Sequence, residues 1–163
     1  MCTIIDVNAI PAIFNNKDLR HEEFRPVIEW INNRNGKVVY GGSKYKSELK
    51  KLGKYLPFIA ELSRKGKVVI YDDFKIDTKE QLIEVDLRSR GIRENDKRFN
   101  DAHLVAIVSV AKVKIITSND ISSIGFLRDT RYYDHKSHRP VFYTRRRNEN
   151  LLKDPRYFSS CCN

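Results

Sequence analysis

Long apolar runs are missing from this sequence. The longest stretches, around Leu104–Ala111 and Lys112–Ile116, are interrupted by Ser or Lys and fall short of the ~18 apolar residues a membrane helix needs. The start, Met1-Cys2-Thr3-Ile4-Ile5-Asp6, has no cationic segment leading into an apolar one. No secretory signal is read there, and the cytoplasm is the expected compartment. Cysteine is sparse too: Cys2 stands alone, and Cys161 and Cys162 are adjacent in a polar tail. None has CxxC or Cys/His zinc spacing, and three cysteines give no disulfide framework, so reduced thiols are expected. Acidic charge is also in short supply. Against 31 Lys and Arg stand 21 Asp and Glu, a formal net charge of +10. That surplus suggests a polyanionic partner, because Lys and Arg gain affinity by displacing counterions from phosphates. A basic chain that is merely well solvated has the same composition, so charge alone does not decide.

What is present is a globular composition of one-domain length: 163 residues, 40% hydrophobic and 10% aromatic. Thr3–Val7, Lys37–Tyr40, Val68–Tyr71 and Val113–Thr117 read as short buried strands, with Val141–Tyr143 a fifth. Between them helical spacing runs through Phe24, Val27, Ile28 and Ile31, then Tyr45, Glu48, Leu49 and Leu52, then Pro57–Arg64. It continues in Leu82, Ile83, Val85 and Leu87, and in Leu104, Val105, Val108 and Ala111. Ser43 and Thr78 read as N-caps, and Asp101 as the opening residue of its helix. With no internal repeat and no linker, the alternation predicts one α/β domain. The expected architecture is a three-layer α/β/α sandwich on a central, mainly parallel sheet. A basic, aromatic C-terminal extension begins at about residue 126.

Four acids stand out. Asp6 closes the first strand and Asp120 follows the fourth, and open parallel sheets bind ligands at the carboxyl ends of their strands. Either aspartate alone reads equally as a turn residue or a cap. Glu48 has Tyr45 and Leu52 at i−3 and i+4, which places it beside the apolar stripe. Paired with Lys44 or Lys51, it is an ordinary solvated glutamate. Asp101, as a helix cap, contributes about 1 kcal/mol without any chemistry. Four converging carboxylates repel one another at neutral pH unless cations bind or pKa values rise. Oxygen-only ligands of this kind suit Mg²⁺ or Mn²⁺. Asp96 reads as a solvent-facing loop acid, and His103 as a packed or partly exposed helix histidine.

The order Ile4-Ile5-Asp6-Val7-Asn8, Gly41-Gly42-Ser43-Lys44-Tyr45 leading to Glu48, Asn100-Asp101-Ala102-His103-Leu104-Val105-Ala106, and Ile115-Ile116-Thr117-Ser118-Asn119-Asp120 resembles the PIN-domain ribonucleases. The resemblance covers about the first 125 residues. It implies a PIN-like sheet between helices, with Asp6, Glu48, Asp101 and Asp120 as catalytic and metal-binding acids for Mg²⁺ or Mn²⁺. Asn8 and either Thr117 or Ser118 match its small polar supporting residues. The function implied is a metal-dependent endoribonuclease cutting single-stranded RNA, in the role of a toxin, a defence effector or a processing enzyme. An antitoxin or other protein partner and a homodimer belong to the same implication.

The extension interleaves Arg128, Arg131, Arg139, Arg145, Arg146, Arg147 and Arg156 with Tyr132, Tyr133, Phe142, Tyr143, Tyr157 and Phe158. Arg forks grip phosphates and aromatic faces stack unpaired bases. Phosphate contact is assigned to Arg145, Arg146 and Arg147, and core packing to Val141–Tyr143. Two other function classes compete. One is a nucleic-acid-binding module that keeps the fold and does not cut. The other is a phosphatase with Asp6 as nucleophile, whose usual second acid two residues on is here Asn8.

Overall fold

The β-branched runs form five strands in the computed structural model, which describes residues 1–159. They are β1 (Cys2–Ile5), β2 (Lys37–Tyr40), β3 (Val68–Ile70), β4 (Ile115–Thr117) and β5 (Val141–Tyr143). All pair in parallel, in the order β3-β2-β1-β4-β5. β1 and β4 are buried along their whole length, which explains their unbroken apolar character where alternation would mark a sheet with one wet face. Two threonines cross this interior without leaving a polar atom unpaired. Thr3 Oγ1 lies 3.0 Å from Thr117 Oγ1 and within reach of the Ile4 and Ile115 carbonyls.

Helices cover both faces and complete a three-layer α/β/α sandwich. They are α1 (Ile10–Phe14), α2 (His21–Asn33), α3 (Ser43–Lys51), α4 (Leu56–Arg64), α5 (Asp73–Ser89), α6 (Lys97–Ala111) and α7 (Ile124–Leu127). α1 packs on α2, and α2 on a 3₁₀ run at Arg146–Leu152; α5 packs along α6, with α3 touching both. α6 is buried on nearly every side, from Phe99 through Ala102–Ser109 to Ala111, as expected of a helix apolar all round. Each fully buried Leu or Ile there stabilises the fold by about 1.5–3 kcal/mol. Among the described residues, no helix is long and apolar enough to cross a membrane.

The strand order places a topological switch between β1 and β4. From β1 the chain runs outward through β2 to β3, then returns to the other side of β1 for β4 and β5. A crevice opens at such a point, outside the carboxyl ends of the strands. Asp6 and Ser118 are the residues that immediately follow β1 and β4.

Several helix starts differ from the sequence expectations, each for a local reason. Ser43 is the first residue of α3, after Gly42, and does not cap it. Its N–H and Oγ both donate to Asp77 on α5, at 2.8 and 2.6 Å. α5 begins at Asp73, capped by Asp72, so Thr78 lies within it. α6 begins at Lys97, capped by Asp96, so Asp101 sits one turn inside. Cys2 is disulfide-bonded, against the expectation of a reduced thiol. Pairing depends on proximity in space, which local spacing does not report. Cys161 and Cys162 lie outside the described residues.

The β2–α3 turn has no room for side chains. A Cβ on Gly41 would come within 2.7 Å of the Tyr71 carbonyl oxygen and 2.6 Å of Ile76 Cδ1, and Gly42 adopts φ +83°. Gly53 has open space around the same position. Gly41→Ala is expected to cost about 1–3 kcal/mol, and Gly53→Ala to stay within about 0.5 kcal/mol. Urea unfolding midpoints of the two variants check this contrast.

Candidate active site

The carboxyl ends of β1 and β4 are laced together by side chains. Asp6 Oδ2 accepts a 2.6 Å hydrogen bond from Ser118 Oγ and a 2.7 Å bond from Asn8 Nδ2. Ser118 Oγ also receives the Asp120 N–H at 3.0 Å. A second hydroxyl ties the other pair: Ser123 Oγ lies 2.6 Å from Asp101 Oδ2 and 2.8 Å from Asp120 Oδ2. Asp120 also accepts from the N–H and Oγ of Ser122, at 2.8 and 2.5 Å. Of the two supporting hydroxyls the sequence offers, Ser118 touches an acid; Thr117 turns inward to Thr3. Ser123 carries no sequence signal, since its link to Asp101 spans 22 positions.

Glu48 reaches the same place from α3. It lines an open cleft of about 410 Å³ with Asp6, Asn8, Lys51, Asn100, Asp101 and His103. Its apolar neighbour Tyr45 is buried, with the phenol donating to the Ile5 carbonyl at 2.5 Å. That bond fixes α3 to the end of β1 and so fixes the approach of Glu48 to Asp6. Lys44 does not pair with Glu48. It donates to the Phe99 carbonyl at 2.6 Å and lies 3.6 Å from Glu80 on α5. The carboxylate faces His103 instead, Oε2 to Nε2 at 3.5 Å.

Burial pushes the Asp6 carboxyl above the ordinary aspartate range, against the Ser118 and Asn8 hydrogen bonds, and the charge of Asp101 adds to the rise. Glu48 is raised by burial against Lys44, with Asp6 and Asp101 adding repulsion. Asp101 is raised by burial against its Ser123 bond, with Asp120 contributing. Asp120 differs: hydrogen bonds led by that from Ser122 hold it below the usual range. Three of the four acids are therefore partly desolvated and electrically coupled, while the fourth sits at the solvated rim. Burial drives the His103 imidazole down to about 4, so it is neutral near pH 7.

Asp96 takes the cap role considered for Asp101, and it grips Arg98 at 2.7 Å. Asp101 therefore has no capping duty. Asp120 and Asp6 do accept from nearby N–H groups in short 3₁₀ turns, so their turn roles and their place in the site coexist. The donor set is all oxygen apart from His103, which is the ligand chemistry of Mg²⁺ and Mn²⁺. Burial first, and mutual repulsion second, oppose ionisation of Asp6, Glu48 and Asp101. Among the described residues, no three His, Cys, Asp or Glu side chains are gathered closely enough to surround an ion as they stand.

The basic extension contributes an arginine next to this site. Arg145 is exposed and lines an adjoining hollow with Arg20, Phe24, Asn119 and Thr144. Asn119 donates to the Asn8 carbonyl at 3.1 Å, linking the two hollows. The Arg146 N–H is docked on Glu23 at 2.8 Å, and Arg147 is exposed. Base stacking is excluded for Tyr132 and Tyr133, and Tyr143 packs in the core as expected. Tyr132, Tyr133 and Tyr143 are buried, their phenols donating to Asp86, the Leu127 carbonyl and the Glu23 carbonyl. In comparisons with known proteins, no family model and no curated sequence matched the chain.

A carboxyl whose folded pKa is raised contributes its full stability below the unfolded value and loses it as pH rises through the folded one. Without added metal, Asp101→Asn is therefore expected to be more stable than the wild type at pH 7. That advantage should disappear as the pH falls below about 4, where an ordinary aspartate is protonated. Thermal melts of both proteins across this range, in EDTA, check the sign.

Proposed function

We propose that this chain is a divalent-metal-dependent nuclease that hydrolyses phosphodiester bonds in single-stranded RNA, as its resemblance to the PIN-domain ribonucleases implies. The observation that carries the reading is the convergence of Asp6, Glu48 and Asp101, from three separate segments, on one open cleft at the switch point. Burial and mutual repulsion there favour occupation by a cation.

When bound, Mg²⁺ or Mn²⁺ supplies a Lewis-acid contact to a phosphate oxygen and lowers the pKa of a coordinated water. Asp6 and Asp101 would hold it, with Asp120 tied to Asp101 by the shared Ser123 hydroxyl. Ser118 and Asn8 keep the Asp6 carboxylate turned toward the cleft. Glu48, brought to the cleft by α3, would hold a cation with its carboxylate and orient the attacking water beside it. Arg145, beside Asn119, receives a phosphate flanking the scissile one. An open cleft and a formal net charge of +10 suit a flexible polyanion, and RNA is read mostly where it is single-stranded.

Two experiments test this. Cleavage of a mixed-sequence single-stranded RNA is expected in Mn²⁺ and not in EDTA. Asp6→Asn should reduce it by at least about 100-fold, equivalent to ~2.7 kcal/mol. Binding without metal-dependent cleavage in the wild type would instead favour the non-catalytic module. Arg145→Ala should leave cleavage at saturating RNA nearly unchanged and weaken binding. Its plot of log affinity against log salt should be less steep by about 0.7, the slope assigned to one phosphate contact on a single strand. An unchanged slope removes Arg145 from the interface.

A further inference from the structure

His103 lines the acidic cleft, yet nothing in the proposed hydrolysis uses it. Its side chain is almost wholly buried, at 4% exposure, and Nε2 has no hydrogen-bond partner among the described residues. A buried nitrogen left unpaired is costly and calls for a partner. The ring is not loosely held. Nδ1 lies 2.8 Å from the Asn100 carbonyl, which only an N–H can satisfy, so the proton sits on Nδ1 and Nε2 carries a bare lone pair. Tyr45 stands beside the ring, centroid to centroid 6.2 Å. Glu48 Oε2 lies 3.5 Å from that nitrogen.

That separation is informative. It is too long for a good hydrogen bond, and two facing lone pairs repel. Adjacent ligands about 2.0–2.2 Å from one ion stand roughly 2.8–3.1 Å apart in octahedral geometry and about 3.3–3.6 Å in tetrahedral geometry. The Glu48–His103 pair, at 3.5 Å, matches the tetrahedral span and lies a few tenths of an ångström outside the octahedral one. A histidine that ligates metal through one nitrogen ordinarily donates the other N–H to a carbonyl or carboxylate, which fixes tautomer and orientation. The Asn100 carbonyl fills that role here.

We propose that Glu48 Oε2 and His103 Nε2 together ligate a divalent cation, giving the site a mixed oxygen–nitrogen arm that prefers Mn²⁺, Co²⁺ or Zn²⁺ to Mg²⁺. The proposal rests on the metal-dependent reading of the cleft and deepens it. Imidazole suits the later first-row metals, whereas Mg²⁺ favours oxygen alone. The remaining positions on the ion are left to water and substrate oxygens, as in metal sites built for catalysis.

The test uses the full chain loaded with Mn²⁺ and a readout independent of cleavage. Pulsed electron paramagnetic resonance is expected to show modulation from a directly bound ¹⁴N nucleus in the wild type. The modulation should vanish in His103→Gln, whose fold is checked by circular dichroism. Mn²⁺ affinity should fall at least about 10-fold in that variant while Mg²⁺ affinity changes little. Should His103→Gln fail to fold, wild type carrying ¹⁵N-histidine must lose the ¹⁴N modulation, and Glu48→Gln must weaken it. Mn²⁺ bound without nitrogen modulation overturns the proposal, and so does modulation that survives in folded His103→Gln. Either result leaves the nuclease reading standing if Asp6→Asn still abolishes Mn²⁺-dependent RNA cleavage. Absence of any Mn²⁺ binding overturns both.

Discussion

The parallel pairing of β1 with β4 is the constraint on which the rest of the site depends. Its register sets Ile5 opposite Thr117, so the next residue on each strand, Asp6 and Ser118, emerges at the same end. The Asp6 N–H donates to the Thr117 carbonyl at 2.8 Å, carrying the ladder one step past the strand and holding the aspartate in place. A one-residue slip would turn every β1 side chain to the other face of the sheet and carry Asp6 away from Ser118. Packing and site geometry are therefore specified by the same contacts, and Tyr45 extends that coupling to α3.

Concentrating carboxylates at this point works against stability. Asp6, Glu48 and Asp101 each lose hydration and gain repulsion, and only some of that is offset by hydroxyl donors from Ser118 and Ser123. A fold that retains such an arrangement behaves like many functional sites, where unfavourable charge is held ready for a ligand that relieves it. The proposed relief is a divalent cation, with Arg145 and the wider basic surface drawing in the phosphate backbone. Lys44 moderates the repulsion from the side, anchored by the Phe99 carbonyl and Glu80.

Much of this was legible in the sequence, and the rest was hidden for identifiable reasons. Continuous β-branched runs marked the strands, and the spacing of Phe24, Val27, Ile28 and Ile31 marked α2. The acids at strand ends were visible because a parallel sheet places its strand ends together. Helix starts were read less well. Asp72 and Asp96 are the caps of α5 and α6, but they stand in polar segments where periodicity is weak, and Thr78 and Asp101 nearer the apolar run drew the assignment. Ser123 and His103 gain their roles only through tertiary contact: one bridges Asp101 and Asp120, the other turns Nε2 toward Glu48 across two helices. Composition offers Tyr132 and Tyr133 as stacking platforms because it does not reveal that they bury their rings and satisfy their hydroxyls internally.

The most direct test of the central claim is anomalous diffraction from crystals of the full chain grown with millimolar Mn²⁺. The account predicts an anomalous peak at the carboxyl ends of β1 and β4, bound by Asp6 or Asp101 oxygens. No peak there, or peaks confined to other surfaces of the molecule, would contradict it.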